Sequence, residues 1–270
     1  MNNTTRLKIS HQTSYHYDEP VHYALQQLRL TPKSNASQRI ISWATNIEGG
    51  REELEFTDHN NNHVVLISFN DGCRSVNIVC EGEVETEDTA GIVGKQGGFT
   101  PLWYFMRSTP LTAAGRHVKQ LIKELGGEFE SDVEKMHFLM ELVEQKIRYE
   151  TGRTDAETSA EDTLEAGHGV CQDHSHVFIA AARQMGLPAR NVSGYLMMND
   201  RIEQEAAHAW AEVHVGGVGW IGYDVSNKIS PDQRYVRVAT GLDYREAAPI
   251  SGMRYGEGTE SMAVSLQVQQ

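Results

Sequence analysis

Three residues in this chain have the types and the order of a thiol acyl-transfer triad: Cys171, then His208, then Asp224. Cys171 lies in Gly167-His168-Gly169-Val170-Cys171-Gln172-Asp173-His174. Two small glycines lead to it, and an apolar, Ala-rich run follows from Val177 through Ala182. Gly186-Leu187-Pro188 then stops the run, as a helix terminator does. The pattern predicts a buried helix with Cys171 in its first turn, where the partial positive charge of the helix N-terminus favours a thiolate. The thiolate is the nucleophilic form of cysteine. A lone cysteine before a helix is more often a small buried hydrophobe. The residues downstream tip the balance. Residues 207–215 read as a strand carrying His208, and residues 219–227 as a strand carrying Asp224.

His208 and Asp224 can meet only if they share a face of that hairpin. A two-residue Gly216-Gly217 turn would oppose His208 to Val225 and point Asp224 away. A three-residue Val215-Gly216-Gly217 loop opposes His214 to Val218, Glu212 to Trp220, Trp210 to Gly222, and His208 to Asp224. Such loops are common, and this is the register the chemistry requires. In it Cys171 attacks a carbonyl carbon and forms a thioester, and His208 carries the proton. Asp224 fixes the imidazole tautomer. The Cys171 backbone N–H serves as one oxyanion donor. A second donor, and roles for Gln172 and Asp173, cannot be assigned from sequence; Asp173 reads equally well as a helix cap.

The motifs in sequence carry a resemblance. G-x-G-V-C-Q-D, then L-P-A-R-x-V-S-G-Y, then H-A-W-x-E-V, then G-W-x-G-Y-D-x-S-N is similar to the bacterial transglutaminase-like superfamily. Thr158-Ser159-Ala160-Glu161-Asp162-Thr163-Leu164 resembles that family's approach to the nucleophile helix. Val236-Arg237-Val238-Ala239-Thr240-Gly241-Leu242-Asp243-Tyr244 resembles its C-terminal strand, and Leu28-Arg29-Leu30-Thr31-Pro32 its β-rich N-terminal region. The resemblance implies an α+β fold: an N-terminal antiparallel β domain, then a papain-like core with the nucleophile helix packed on an antiparallel sheet. It implies a Cys-His-Asp enzyme, and no cofactor. His168 and His174 depart from the arginine and aromatic residue that often fill those slots.

The elements that must position the site can be read in outline. Short β-like runs occupy residues 6–88, among them Leu7-Lys8-Ile9, residues 13–17, 26–30, 42–47, 64–69 and 75–80. An acidic, then Gly-rich stretch at 86–98 reads as a linker. The expected division is a β-rich domain over 1–95, a catalytic core over 96–256 and a polar, mobile tail over 257–270. Helices are expected over 112–125, 131–149 and 159–164, the second opened by a Ser131-Glu134 capping box. A strand is expected at 191–198, and a charged loop bordering the substrate cleft at 199–205. Residues 102–106, Leu-Trp-Tyr-Phe-Met, read as interdomain packing.

A formal net charge of −13 argues against nucleic-acid and anionic-membrane partners and reads as solubility; the resemblance implies a peptide or amide-containing substrate. The first residues lack a signal-peptide apolar core. Cys73 and Cys80 lie seven steps apart along one strand, roughly 23 Å, too far to pair. A reduced, cytoplasmic protein is the expectation. Two rival readings remain. His168, Cys171, Asp173, His174 and His176 crowd together, but helical spacing leaves too few convergent metal ligands. His59 and His63 form an ordinary polar pair. A non-catalytic binding module is disfavoured because all three triad positions are filled. Hydrolysis is favoured over transfer to an amine, since nothing in the sequence marks an amine site. The oligomeric state is not legible.

Overall fold

The structure, a computed structural model, describes residues 4–95, 97–204 and 206–270. Residues 1–3, Gln96 and Glu205 lie outside it. With them go the chain start, the first residue of the expected core and the last of the charged loop.

The chain opens with β1 (Thr4–Val21), a single long strand where two short runs were expected. Its odd-numbered residues from Leu7 to Tyr17 turn inward and the residues between face out, the period of a half-buried strand. Then come β2 (Tyr23–Leu28), β3 (Gln38–Glu48), β4 (Gly50–Thr57), β5 (His63–Phe69) and β6 (Cys73–Glu87). Strand β4 had no sequence signal, because it buries no residue. β7 (Ile92–Gly94) lies within the expected linker. The helical region holds α1 (Arg116–Leu125), α2 (Asp132–Lys146), β8 (Arg148–Tyr149), α3 (Ala160–Ala166), β9 (His168–Gly169) and α4 (Cys171–Gln184). Strands β10 (Ala189–Leu196), β11 (Glu203–Gln204), β12 (His208–Val215), β13 (Gly219–Tyr223) and β14 (Tyr235–Gly241) follow. The chain ends with α5 (Tyr244–Ala247), β15 (Ile250–Tyr255) and β16 (Glu260–Gln269).

Three antiparallel sheets organise these elements, making the fold α+β. Two of them, β11-β16-β1-β6-β3 and β15-β2-β5-β4, face each other across Tyr15, Tyr17, Leu28, Ile67, Phe69 and Ile78. The third, β14-β10-β12-β13-β7, carries α4 on one face. β7 hydrogen-bonds to β13, so the expected linker supplies an edge strand of the catalytic sheet.

The C-terminal reading needs correction. Residues 257–270 are not a mobile tail, because Glu260–Gln269 pairs with β1 from Tyr17↔Glu260 to Lys8↔Gln269. Leu266 and Val268 are buried there. Strand β15 likewise pairs with β2. Polar residues on the outer face hide a strand whose partner is at the other end of the chain.

The β-rich region also holds the catalytic sheet. Leu7, Ile9, Val84, Leu266 and Val268 form one buried cluster with Tyr195, Val236 and Val238. Two side-chain amides then satisfy the open edge of β14. Gln38 donates to the Arg237 carbonyl and accepts from its N–H, both at 2.8 Å. Asn62 does the same for Thr240, at 2.7 and 2.8 Å. Each carboxamide supplies the donor and acceptor that a neighbouring strand would have offered.

On the opposite side, Val177, Phe178, Ile179 and the small residues Ala180, Ala181 and Ala182 sink α4 against Ala211, Val213 and Tyr223. The opening of α2 is half of a capping box: Ser131 accepts from the Glu134 N–H, while Glu134 accepts from Glu130 instead of Ser131. Ser159 and Asp162 form a complete box at α3.

Candidate active site

Cys171 is the first residue of α4, half-buried, and one of three free thiols with Cys73 and Cys80. The turn before it is built by Asp173. This carboxylate accepts from the Val170 N–H and from the Thr154 hydroxyl, both at 2.7 Å. Asp173 is therefore the helix cap. Gly169 is required by close approach, since a Cβ there would stand 2.7 Å from the Asp173 Cβ. Gln172 donates to the Asp155 carbonyl at 3.0 Å and ties down the loop before α3. As the first residue of the helix, Cys171 has an N–H with no helical carbonyl four positions back.

His208 begins β12, opposite Gly194 of β10. Its Nε2 lies 2.6 Å from Asp224 Oδ2. The Cys171 thiol acts on the same imidazole and favours its charged form. The hairpin that brings histidine and aspartate together differs from the expected register. His214 pairs with Trp220 and Glu212 with Gly222, so the loop is Gly216-Gly217-Val218, one residue further on. Every pairing moves by two, and two is the strand period. Asp224 stays on the histidine's face and reaches it diagonally. The loop position follows from backbone conformation: Gly217 and Gly219 both have positive φ, 81° and 104°. A Cβ at Gly219 would also lie 2.3 Å from the Gly94 carbonyl oxygen.

Asp224 is fully buried and richly satisfied. It accepts from His208, from the Asn227 side chain at 2.7 Å, from the Tyr235 hydroxyl at 2.7 Å and from the Asn227 backbone at 3.2 Å. Burial works against its charge, but His208, Asn227 and Tyr235 hold the carboxyl below its ordinary range. Burial likewise opposes charge on His208. The Asp224 charge and hydrogen bond, and then Cys171, outweigh it and push the imidazole up to about 10.

Two tyrosines flank the thiol. Tyr149 of β8 runs parallel to β9, paired with Gly169, and stacks on the His174 ring at 6.1 Å. Burial, then the charges of Cys171 and Asp224, push its hydroxyl up to about 12. Tyr244 opens α5, with its N–H donated to His176 Nε2 at 3.0 Å. Burial and the Cys171 charge raise its hydroxyl too. Neither tyrosine, nor Tyr235, was found from sequence. Each comes from an element remote from the Cys, His and Asp motifs, and no spacing rule joins them.

The crowded histidines have other engagements. Both ring nitrogens of His174 face carbonyls, Val170 at 2.9 Å and Ile147 at 3.1 Å. His176 is buried and held down to about 4, and it anchors Tyr244. His59 meets the Tyr104 hydroxyl at 2.9 Å. Among the described residues, no group of three or more His, Cys, Asp or Glu is arranged to hold a metal ion. The 102–106 segment splits its aromatics. Phe105 packs on Trp220, Tyr104 reaches His59 and Glu246, and Trp103 is exposed.

Residues 119–225 match the model of the transglutaminase-like superfamily, and residues 7–85 match that of the bacterial transglutaminase-like N-terminal region. The chain is a transglutaminase-like core joined to a bacterial transglutaminase-like N-terminal region. The core match contains Cys171, His208 and Asp224. An uncharacterized protein of Mycobacterium leprae is 26% identical over 97% of this chain and 98% of its own length. An uncharacterized protein of Mycobacterium tuberculosis is 26% identical over 97% and 91%. Among solved structures, a candidate cysteine protease from Cytophaga hutchinsonii shares the fold of this transglutaminase-like chain. Its TM-score is 0.79 and its identity 22%, over 99% of this chain and 92% of that one. No helix among the described residues is long and apolar enough to cross a membrane.

Proposed function

We propose that this protein catalyses cysteine-dependent acyl transfer at an amide or peptide bond, with water as the acceptor. One observation carries the reading: a single buried imidazole lies 2.6 Å from the Asp224 carboxylate and within electrostatic reach of the Cys171 thiol. Membership of the transglutaminase-like superfamily supports acyl transfer through a thiol.

In the first half-reaction the Cys171 sulfur attacks the carbonyl carbon while His208, charged at neutral pH, holds the proton that will go to the leaving group. The oxygen that becomes negative meets the Cys171 N–H at the helix start. Tyr149 is the second donor in this proposal. Its hydroxyl is protonated at neutral pH, as at the ordinary tyrosine value of 10, and can donate. As the tetrahedral intermediate collapses, His208 returns the proton to the leaving amine nitrogen and a thioester remains. In the second half-reaction His208 takes a proton from water, the oxygen attacks the thioester, and the Cys171 sulfur leaves. Asp224 keeps the imidazole turned and favours its charged form throughout. The three free thiols support a reducing, cytoplasmic setting.

The test is a peptide and amide library, incubated with the protein with and without a primary amine. Release of free acid alone is expected. Products that carry the amine in place of water would overturn hydrolysis, and no turnover of any amide would overturn the enzyme.

A further inference from the structure

The β-rich region holds a cavity of about 210 Å³ between its two sheets, at the end where β15 and β16 approach each other. Tyr15, Tyr17 and Phe69 form apolar walls, and Gln26, Arg254 and Glu260 supply polar groups. Gln26 is only 9% exposed, yet its Oε1 has no hydrogen-bond partner among the described residues. Leaving a buried acceptor unpaired is costly, so a chain that keeps one beside an open cavity has a use for it. Gly252 lies directly across from Gln26, and a Cβ there would stand 2.8 Å from the Gln26 Cγ. The space around the amide therefore depends on a glycine.

The chemistry left unspent in the cavity is that of acceptors. The Arg254 guanidinium is occupied: it donates to the Glu257 and Gly258 carbonyls at 3.3 and 2.9 Å and lies 5.3 Å over the Tyr17 ring. The Glu260 carboxylate faces the Tyr17 hydroxyl at the exposed mouth. A ligand that satisfies both Gln26 Oε1 and Glu260 must donate hydrogen bonds, and positive charge suits the tyrosine faces.

We propose that this cavity binds a primary ammonium group, accepted by Gln26 Oε1 and the Glu260 carboxylate between the rings of Tyr15 and Tyr17. Tyr244 opens α5, its N–H is anchored on His176 of the nucleophile helix at 3.0 Å, and six residues on the chain becomes the β15 wall of the cavity. The amine's part in turnover rests on the acyl-transfer reading; its binding does not. The amine belongs to the acyl donor, away from the bond that breaks.

The experiment is calorimetric titration of the Cys171→Ala protein with 1,5-diaminopentane, with 1,5-pentanediol as the uncharged control. The diamine is expected to bind and the diol not. Glu260→Gln, at an exposed position, and Gln26→Leu are each expected to weaken the diamine about tenfold or more, the loss of one charge-assisted hydrogen bond. Equal binding of diamine and diol, or diamine binding unchanged in Glu260→Gln, would overturn the site. With the wild-type protein and an amide substrate that carries a remote amine, the diamine is a competitor that raises KM, and Gln26→Leu reduces that rise. Diamine binding without any amide turnover would remove the acyl-transfer reading and leave the cavity standing. Turnover without diamine binding would remove the cavity alone.

Discussion

Asp224 reaches His208 on a diagonal: in the β12–β13 register the position facing Asp224 belongs to Trp210, yet carboxylate and imidazole meet at 2.6 Å. The diagonal leaves room for Asn227 and Tyr235 to share the carboxylate, at 2.7 Å each. Asp224→Ala strands two buried donors, His208 and Tyr235, and a loss of about 3–5 kcal/mol is expected in urea unfolding. Asp224→Asn keeps the shape and isolates the chemistry. Its rate should fall by somewhat less than the roughly 10⁴-fold known for a serine triad, since a thiol gives up its proton more readily than a hydroxyl. Wild-type turnover in Asp224→Asn would contradict its orienting role.

The pH profile follows from His208. Its folded value is about 10, above the ordinary 6.5. Stability from the ion pair is therefore fully present below pH 6.5 and is lost as pH rises toward about 10. The alkaline limb of kcat/KM should sit near the upper value and move down in Asp224→Asn. An alkaline limb between pH 6 and 7 in the wild type would show that the imidazole does not carry the raised charge.

Tyr149→Phe tests the second oxyanion donor. Removing such a donor costs about 10²–10³ in kcat, with KM little changed because the bond forms in the transition state. A change confined to KM would make Tyr149 a wall of the cleft.

The Asn62 amide closes the edge of β14 from the loop between β4 and β5. Asn62→Ala leaves the N–H and C=O of Thr240 buried and unpaired, so a loss of about 1–3 kcal/mol is expected. An unchanged urea midpoint would show that water replaces the amide without loss.

Deleting residues 260–270 should abolish cooperative folding, because it strips β1 of a partner and removes two side chains worth about 1.5–3 kcal/mol each. A truncated protein that melted like the full chain would restore the sequence reading of a loose tail.

That misreading has the same physical origin as the others. The nucleophile helix was legible because Cys171 is followed by a continuous apolar run, and the histidine and aspartate strands because nearly every residue in them is apolar or small. Parity was legible in the hairpin, since a wrong face would have separated His208 from Asp224. The loop position was not, because Val215-Gly216-Gly217 and Gly216-Gly217-Val218 look alike until Gly219 is seen packed against Gly94. Strands β4, β7 and β16 lie at or near sheet edges or carry polar outer faces, so local alternation is weak. Tyr149, Tyr235 and Tyr244 reach the site only through tertiary structure.

The central claim is an activated thiol, and iodoacetamide at neutral pH, read by peptide mass spectrometry in the folded protein, tests it most directly. Burial raises Cys73 and pushes Cys80 up to about 11, whereas Cys171 lies half-exposed at a helix start beside a charged imidazole. Cys171 should be alkylated well before the other two, and His208→Ala should slow its labelling while leaving theirs unchanged. Equal labelling of all three cysteines, or a Cys171 rate indifferent to His208, would contradict the account.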